Sequence, residues 1–112
     1  MNGENFVRLK GFLKYPELKY FDSGACKFSG KVAVPISYRK NGEEKNTQMF
    51  YKISAWSDIA ESMSELVEDT PIEIHGHINE RKWDAKCKNC GEVEKKYWTD
   101  VQVDNFIIID EE

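Results

Sequence analysis

For most of its length the chain alternates apolar and polar residues with a period of two, the pattern of strands that bury one face. Val7, Leu9, Gly11 and Leu13 share one face of a first strand. Turn-forming residues at Tyr15-Pro16 and at Asp22-Ser23-Gly24 lead to a second. In that strand Cys26, Phe28, Gly30, Val32, Val34 and Ile36 face one way, and Lys27, Ser29 and Lys31 the other. Asn41-Gly42 predicts a tight hairpin, because both residues tolerate positive φ. A third strand over about residues 46–56 sets Tyr51, Ile53 and Ala55 against Phe50, Lys52, Ser54 and Trp56. The period then changes to that of a helix at Ile59, Met63, Leu66 and Val67, with Ser57 as its N-cap and Asp58 at the positive end of its dipole. Asp69-Thr70-Pro71 is expected to end it. Alternation returns with Ile72, Ile74, Gly76 and Ile78 inward, followed by a polar hairpin from about Glu80 to Lys96. The last strand turns Val101 and Val103 inward and ends in the apolar run Phe106 to Ile109.

Three strands, one short helix and two strands give an all-β chain in the order of a five-stranded Greek-key barrel, the OB-fold. An α+β sandwich has the same order, and periodicity alone leaves it open. With 112 residues, no internal repeat and no low-complexity linker, residues 1–112 read as one domain. No apolar run approaches the ~20 residues of a membrane span, and the N-terminus lacks a signal-peptide pattern. A cytoplasmic protein is expected. Three cysteines, two of them in a C-x2-C, do not make a secreted disulfide framework.

A net charge of −4 argues against a nucleic-acid binder until its distribution is considered. Residues 57–73 and 104–112 hold ten acids and no Lys or Arg, so the rest of the chain sets all 16 bases against 10 acids. That segregation permits a basic surface for phosphates, although a solvated helix face is, taken alone, the better explanation of the acids. Enzyme motifs are missing: no Gly-rich phosphate loop, no G-x-S-x-G and no H-E-x-x-H. Binding without a cofactor is the expectation.

The informative feature is a set of aromatics beside basic residues at positions that should point outward. Phe50, Lys52 and Trp56 share a face of the third strand, with Lys27 and Lys31 outward on the second. Trp83 follows Arg81-Lys82, Tyr97-Trp98 follows Lys95-Lys96, and Tyr38 precedes Arg39-Lys40. Exposed rings are costly unless something covers them. Unstacked bases are a natural cover, each contributing ~1–3 kcal/mol whatever its identity, while Lys and Arg neutralise the adjoining phosphates. Packing in the core or at a subunit contact is the competing explanation, strongest for Trp98. Tyr20, Phe21 and Tyr51 are expected to be packing residues.

The string N-F-V-R-L-K-G-F-L at 5–13, P-E-L-K-Y at 16–20 and S-G at 23–24 resembles the opening of bacterial and phage single-stranded DNA-binding proteins. A-W-S-D-I-A-E at 55–61, I-E-I-H-G-H-I at 72–78, R-K-W at 81–83 and W-T-D-V-Q-V at 98–103 continue the resemblance, which runs from Asn5 to about Ile109. It implies a sequence-tolerant binder of single-stranded DNA acting in replication, recombination or repair, assembled as a homo-tetramer or dimer. The family's base-stacking aromatics fall on Tyr38, Phe50, Trp56 and Trp83, and its basic pair on Arg81 and Lys82. Three features depart from the pattern. The sequence ends at Glu112 with a short acidic end, so recruitment of replication and repair proteins through the family's long acidic-tipped tail is not an expectation here. The segment between Gly11 and Pro16 is one residue short. The hairpin carries Cys87-Lys88-Asn89-Cys90-Gly91. Cys87 and Cys90 have the spacing of half a zinc site, and a symmetry mate's pair would close it; a reduced thiol pair is the simpler expectation. Two rival functions stay open: a barrel that docks replication-restart or recombination proteins with weak nucleic-acid binding, and an RNA-binding module.

Overall fold

The structure, a computed structural model, describes residues 2–86, 91 and 93–109, without the Lys86 side chain. Five strands and one helix follow in order: β1 (Val7–Tyr20), β2 (Cys26–Lys40), β3 (Glu43–Trp56), α1 (Ser57–Met63), β4 (Pro71–Lys86) and β5 (Val93–Ile108). They close into a barrel in the order β1-β2-β3-β5-β4. Adjacent strands are antiparallel except β3 and β5, which meet in parallel at Ile53↔Val101 and Ser54↔Gln102. The expected OB-fold, with its helix between the third and fourth strands, is the fold observed.

The alternating positions build the core as their pattern requires. Leu13, Cys26, Phe28, Val32, Ile53, Ala55, Ile72, Ile74, Val101 and Val103 are buried in one cluster, joined by Ala60 and Met63 from the helix. Asn41 and Gly42 take φ of 55° and 80° at the β2–β3 hairpin, the conformation that Asn-Gly turns favour. Tyr15-Pro16 is not a turn. β1 runs through it with a break in register between Lys14 and Glu17, and Tyr15 takes a φ of 54°. A bulge lets the strand bend without ending.

The helix is shorter than its periodicity predicts, and Ser57 does not cap it. Ser57 has a φ of 57° and is already the first helical residue; extended Trp56 precedes it, with no side-chain cap. The helix stops at Met63, well before Asp69-Thr70-Pro71. Ser64 donates its hydroxyl to the Glu61 carbonyl at 2.5 Å, and turns closed by Leu66 N–H to Met63 C=O and Thr70 N–H to Val67 C=O replace the helical ladder. Hydroxyl bonds of this kind compete with helix continuation. Leu66 still packs against the core from outside the helix, but Val67 is exposed. Ile78 is exposed as well. The pairing of β1 with β4 ends at Val7↔Gly76, so no β1 residue covers Ile78. The Asn5 side chain instead bonds both the N–H and the C=O of Ile78, at 2.9 and 2.7 Å.

Across that seam Arg8 donates from Nε and Nη2 to Glu73 Oε1 at 3.1 and 2.8 Å, and His75 Nε2 lies 2.8 Å from Glu73 Oε2. The Arg8 guanidinium first, and His75 second, hold the Glu73 carboxyl below the usual glutamate range. A carboxylate depressed in the folded state stabilises at pH above its unfolded value, and that contribution disappears as pH falls through the folded value. Glu73→Gln should therefore lower the melting temperature at neutral pH. The difference from the parent should shrink once pH drops below the ordinary glutamate range, which melting curves across that range would show.

Candidate nucleic-acid interface

Pleating places Lys27, Ser29 and Lys31 of β2 outward, and the β2–β3 register sets them opposite Trp56, Ser54 and Lys52. β5 joins this sheet beside β3 and brings in Trp98 and Asp100, while the β1 bulge contributes Tyr15. These residues enclose a hollow of about 240 Å³ on the outer face. Its cations lie over its rings. Lys52 Nζ is 3.9 Å from the Trp98 ring centre and Lys31 Nζ is 5.8 Å from that of Tyr15. Ser54 and Asp100 are its buried polar members, linked by a 2.8 Å bond from Ser54 Oγ to Asp100 Oδ2.

The patch extends in two directions. At one end Trp56 stacks on Phe21, with ring centres 5.8 Å apart and planes tilted by 22°, and Lys27 Nζ lies 5.4 Å from the Trp56 ring centre. Lys19 sits at the same distance over Phe21. At the other end the β4–β5 hairpin pairs Arg81 with Trp98 and Trp83 with Lys96. An open groove of about 660 Å³ runs between Arg81, Lys82, Trp83 and Trp98. Lys82 also lies 5.6 Å from the Tyr97 ring centre and pairs with Glu80 at 3.6 Å. Among the described residues Lys27, Lys31, Lys52 and Arg81 take part in no ion pair, so their charge is free for an anion.

Most of the residues singled out from the sequence thus meet on one surface. Phe50 shares the outward face of β3 with Lys52, opposite Ala33. Tyr38 does not join it by regular pleating: it pairs with Lys45 one step along from the Ser37–Asn46 side-chain bond, on the alternate face of the β2–β3 arm. The expectation that Tyr20, Phe21 and Tyr51 pack inside is corrected, since all three are exposed. Tyr15, Lys19 and Phe21 are the surface residues that sequence reasoning missed. The bulge that carries Tyr15 and the turn that carries Phe21 interrupt the period-two pattern, whereas Lys19 lies in the regularly paired end of β1, opposite Lys27; only the proximity of Lys to each ring could have signalled them. Cys87 and Cys90 lie outside the described residues. Among the described residues no group of three His, Cys, Asp or Glu side chains could hold a metal.

A closed five-stranded barrel with one helix between its third and fourth strands is an OB-fold, and this one carries exposed aromatics and, among the described residues, cations in no ion pair along one face. Residues 5–109 match the Single-strand binding protein family, and the chain belongs to that family. A single-stranded DNA-binding protein of Deinococcus radiodurans is 29% identical over 75 residues, which are 66% of this chain and 25% of that protein. Single-stranded DNA-binding protein 2 of Nostoc sp. is 34% identical over 98 residues, covering 86% of this chain and 72% of the relative. In fold the chain is similar to a deletion mutant of the single-stranded DNA binding protein from Thermus aquaticus, with a TM-score of 0.77 at 22% identity over 96% of this chain and 51% of that one. The chain thus spans a quarter of the Deinococcus protein and about half of the Thermus chain.

Proposed function

We propose that the protein binds single-stranded DNA by stacking bases on Trp56, Trp83, Trp98 and Phe50 while Lys27, Lys31, Lys52, Arg81 and Lys82 neutralise phosphates. The observation that carries this reading is the placement of unpaired lysines directly over exposed rings, Lys52 on Trp98 above all. A base that displaces the ammonium from the ring face keeps its phosphate within reach of that lysine. The action is binding alone, protecting unpaired strands in replication, recombination or repair. Assembly as a homo-oligomer, with one strand crossing several barrels, belongs to the same reading. A zinc site at Cys87 and Cys90 completed by a symmetry mate would tie two hairpins together, and metal analysis of the purified protein decides it.

Titration with oligo-dT at two salt concentrations tests the proposal. Tryptophan emission should quench to a stoichiometric endpoint. Neutralising about four phosphates with the four unpaired cations gives a slope of log affinity against log salt of roughly −3. A folded protein showing no quenching would instead have its indoles committed to a protein contact, and the docking-module function would replace this one.

A further inference from the structure

We infer that the hollow between Tyr15 and Trp98 selects, at one position of the bound strand, a base with an exocyclic amino group over thymine, and that Asp100 is the residue that reads it. The inference rests on the proposed function and deepens it. The walls of the hollow carry no base preference, because rings stack on any base and Lys31 and Lys52 attract any phosphate. Its polar lining does. Asp100 is 6% exposed, lines the hollow, and is in no ion pair among the described residues. Its Oδ2 accepts from Ser54 at 2.8 Å, whereas among the described residues Oδ1 has only a long 3.4 Å contact from Asn79 Nδ2. A carboxylate offers about four acceptor positions, so this one retains capacity for another donor.

A buried carboxylate accepts and cannot donate. Cytosine presents an N4 amino donor, the group that Asp and Glu read on that base. Thymine presents the O4 acceptor at the same place, and its one N–H lies between two carbonyl oxygens. An acceptor facing an acceptor away from water leaves both unsatisfied, and that mismatch carries the discrimination. The same negative charge keeps a phosphate from that end of the hollow, so the strand enters base first, with its backbone toward the lysines. Ser54 acts as a positioning residue, fixing Asp100 from the neighbouring strand.

The test compares an oligo-dT with the same oligonucleotide carrying a single dC, and with one carrying N4,N4-dimethyl-deoxycytidine, which keeps the ring but has no amino donor. The protein should bind the dC strand roughly fivefold more tightly than oligo-dT, and the dimethylated base should lose that gain. In Asp100→Asn, shown to be folded by circular dichroism, the dC-to-dT ratio should collapse to about one or invert, whatever the absolute affinity. Equal affinity for dC and dT, an undiminished gain with the dimethylated base, or a ratio that survives in Asp100→Asn would each overturn the inference. The modified base needs no protein variant, so misfolding of Asp100→Asn leaves the test intact. Failure of oligo-dT to bind at all would overturn the single-stranded DNA reading itself, whereas binding without preference overturns only the role of Asp100.

Discussion

Alanine at Gly76 should lower the melting temperature by about 10 °C or more, while alanine at Gly3 should leave it unchanged. Gly76 faces inward on β4, where the ladder with β5 slips: His75 pairs with Asn105 but Gly76 pairs with Val103, leaving Asp104 as the extra residue. The slip bends β5 across Gly76, and a Cβ there would overlap the carbonyl oxygen of Gln102 and come within 3.3 Å of Val101 Cγ1. The obstacle is backbone in a closed barrel, which cannot rotate aside like a side chain. Overpacking of this kind costs about 3 kcal/mol or more, a large share of the 5–15 kcal/mol that holds a small domain together. At a few degrees per kcal/mol that gives the expected shift. Gly3 has nothing within 4 Å of the same added atom, which makes it the control. Equal melting temperatures for parent and Gly76→Ala would mean that the two strands separate freely there, and the barrel would not be closed as described.

Gly76 also shows what periodicity can convey. The alternation I-x-I-x-G-x-I marked its inward face, because side-chain burial is a property of each residue in turn. It could not reveal that a neighbouring backbone crosses that face, since the crossing depends on a bulge in a strand about 27 residues later. Ile78 followed the same alternation and is exposed, because the covering strand has ended by then. The helix was legible from Ile59 and Met63, yet its end was set by Ser64 bonding back to Glu61, a local competition that apolar spacing does not register. For the surface, strand pleating alone put Lys27, Lys31, Lys52 and Trp56 together, because residues two apart share a face. Tyr15 and Phe21 join them through a left-handed bulge residue and a turn, where the period-two rule lapses. Trp98, ambiguous in the sequence next to an inward strand, is exposed and has Lys52 over its ring.

Trp56→Ala should weaken binding of oligo-dT about tenfold or more, with the fold and melting temperature little changed. Loss of one stacked base is worth ~1–3 kcal/mol, and Trp56 is well placed to supply it. Phe21 already lies against one face of the indole and Lys27 stands over the ring, so the side chain is held in place before a base arrives and little ordering is left to oppose binding. Its backbone position is undemanding: it precedes the helix in an extended conformation with no side-chain cap to lose, and it is no part of the core cluster. Trp56→Phe should recover most of the loss, since a smaller ring still stacks. Trp83→Ala, on the separate groove beside Arg81, should cost a similar factor, because that ring is also exposed and outside the core. The salt slope should stay near its parent value in all three, because no cation is removed and the slope counts phosphates. An unchanged affinity in both alanine variants would refute stacking on this face. Unchanged affinity together with an unchanged slope would assign the binding to charge alone, with the rings serving a protein partner.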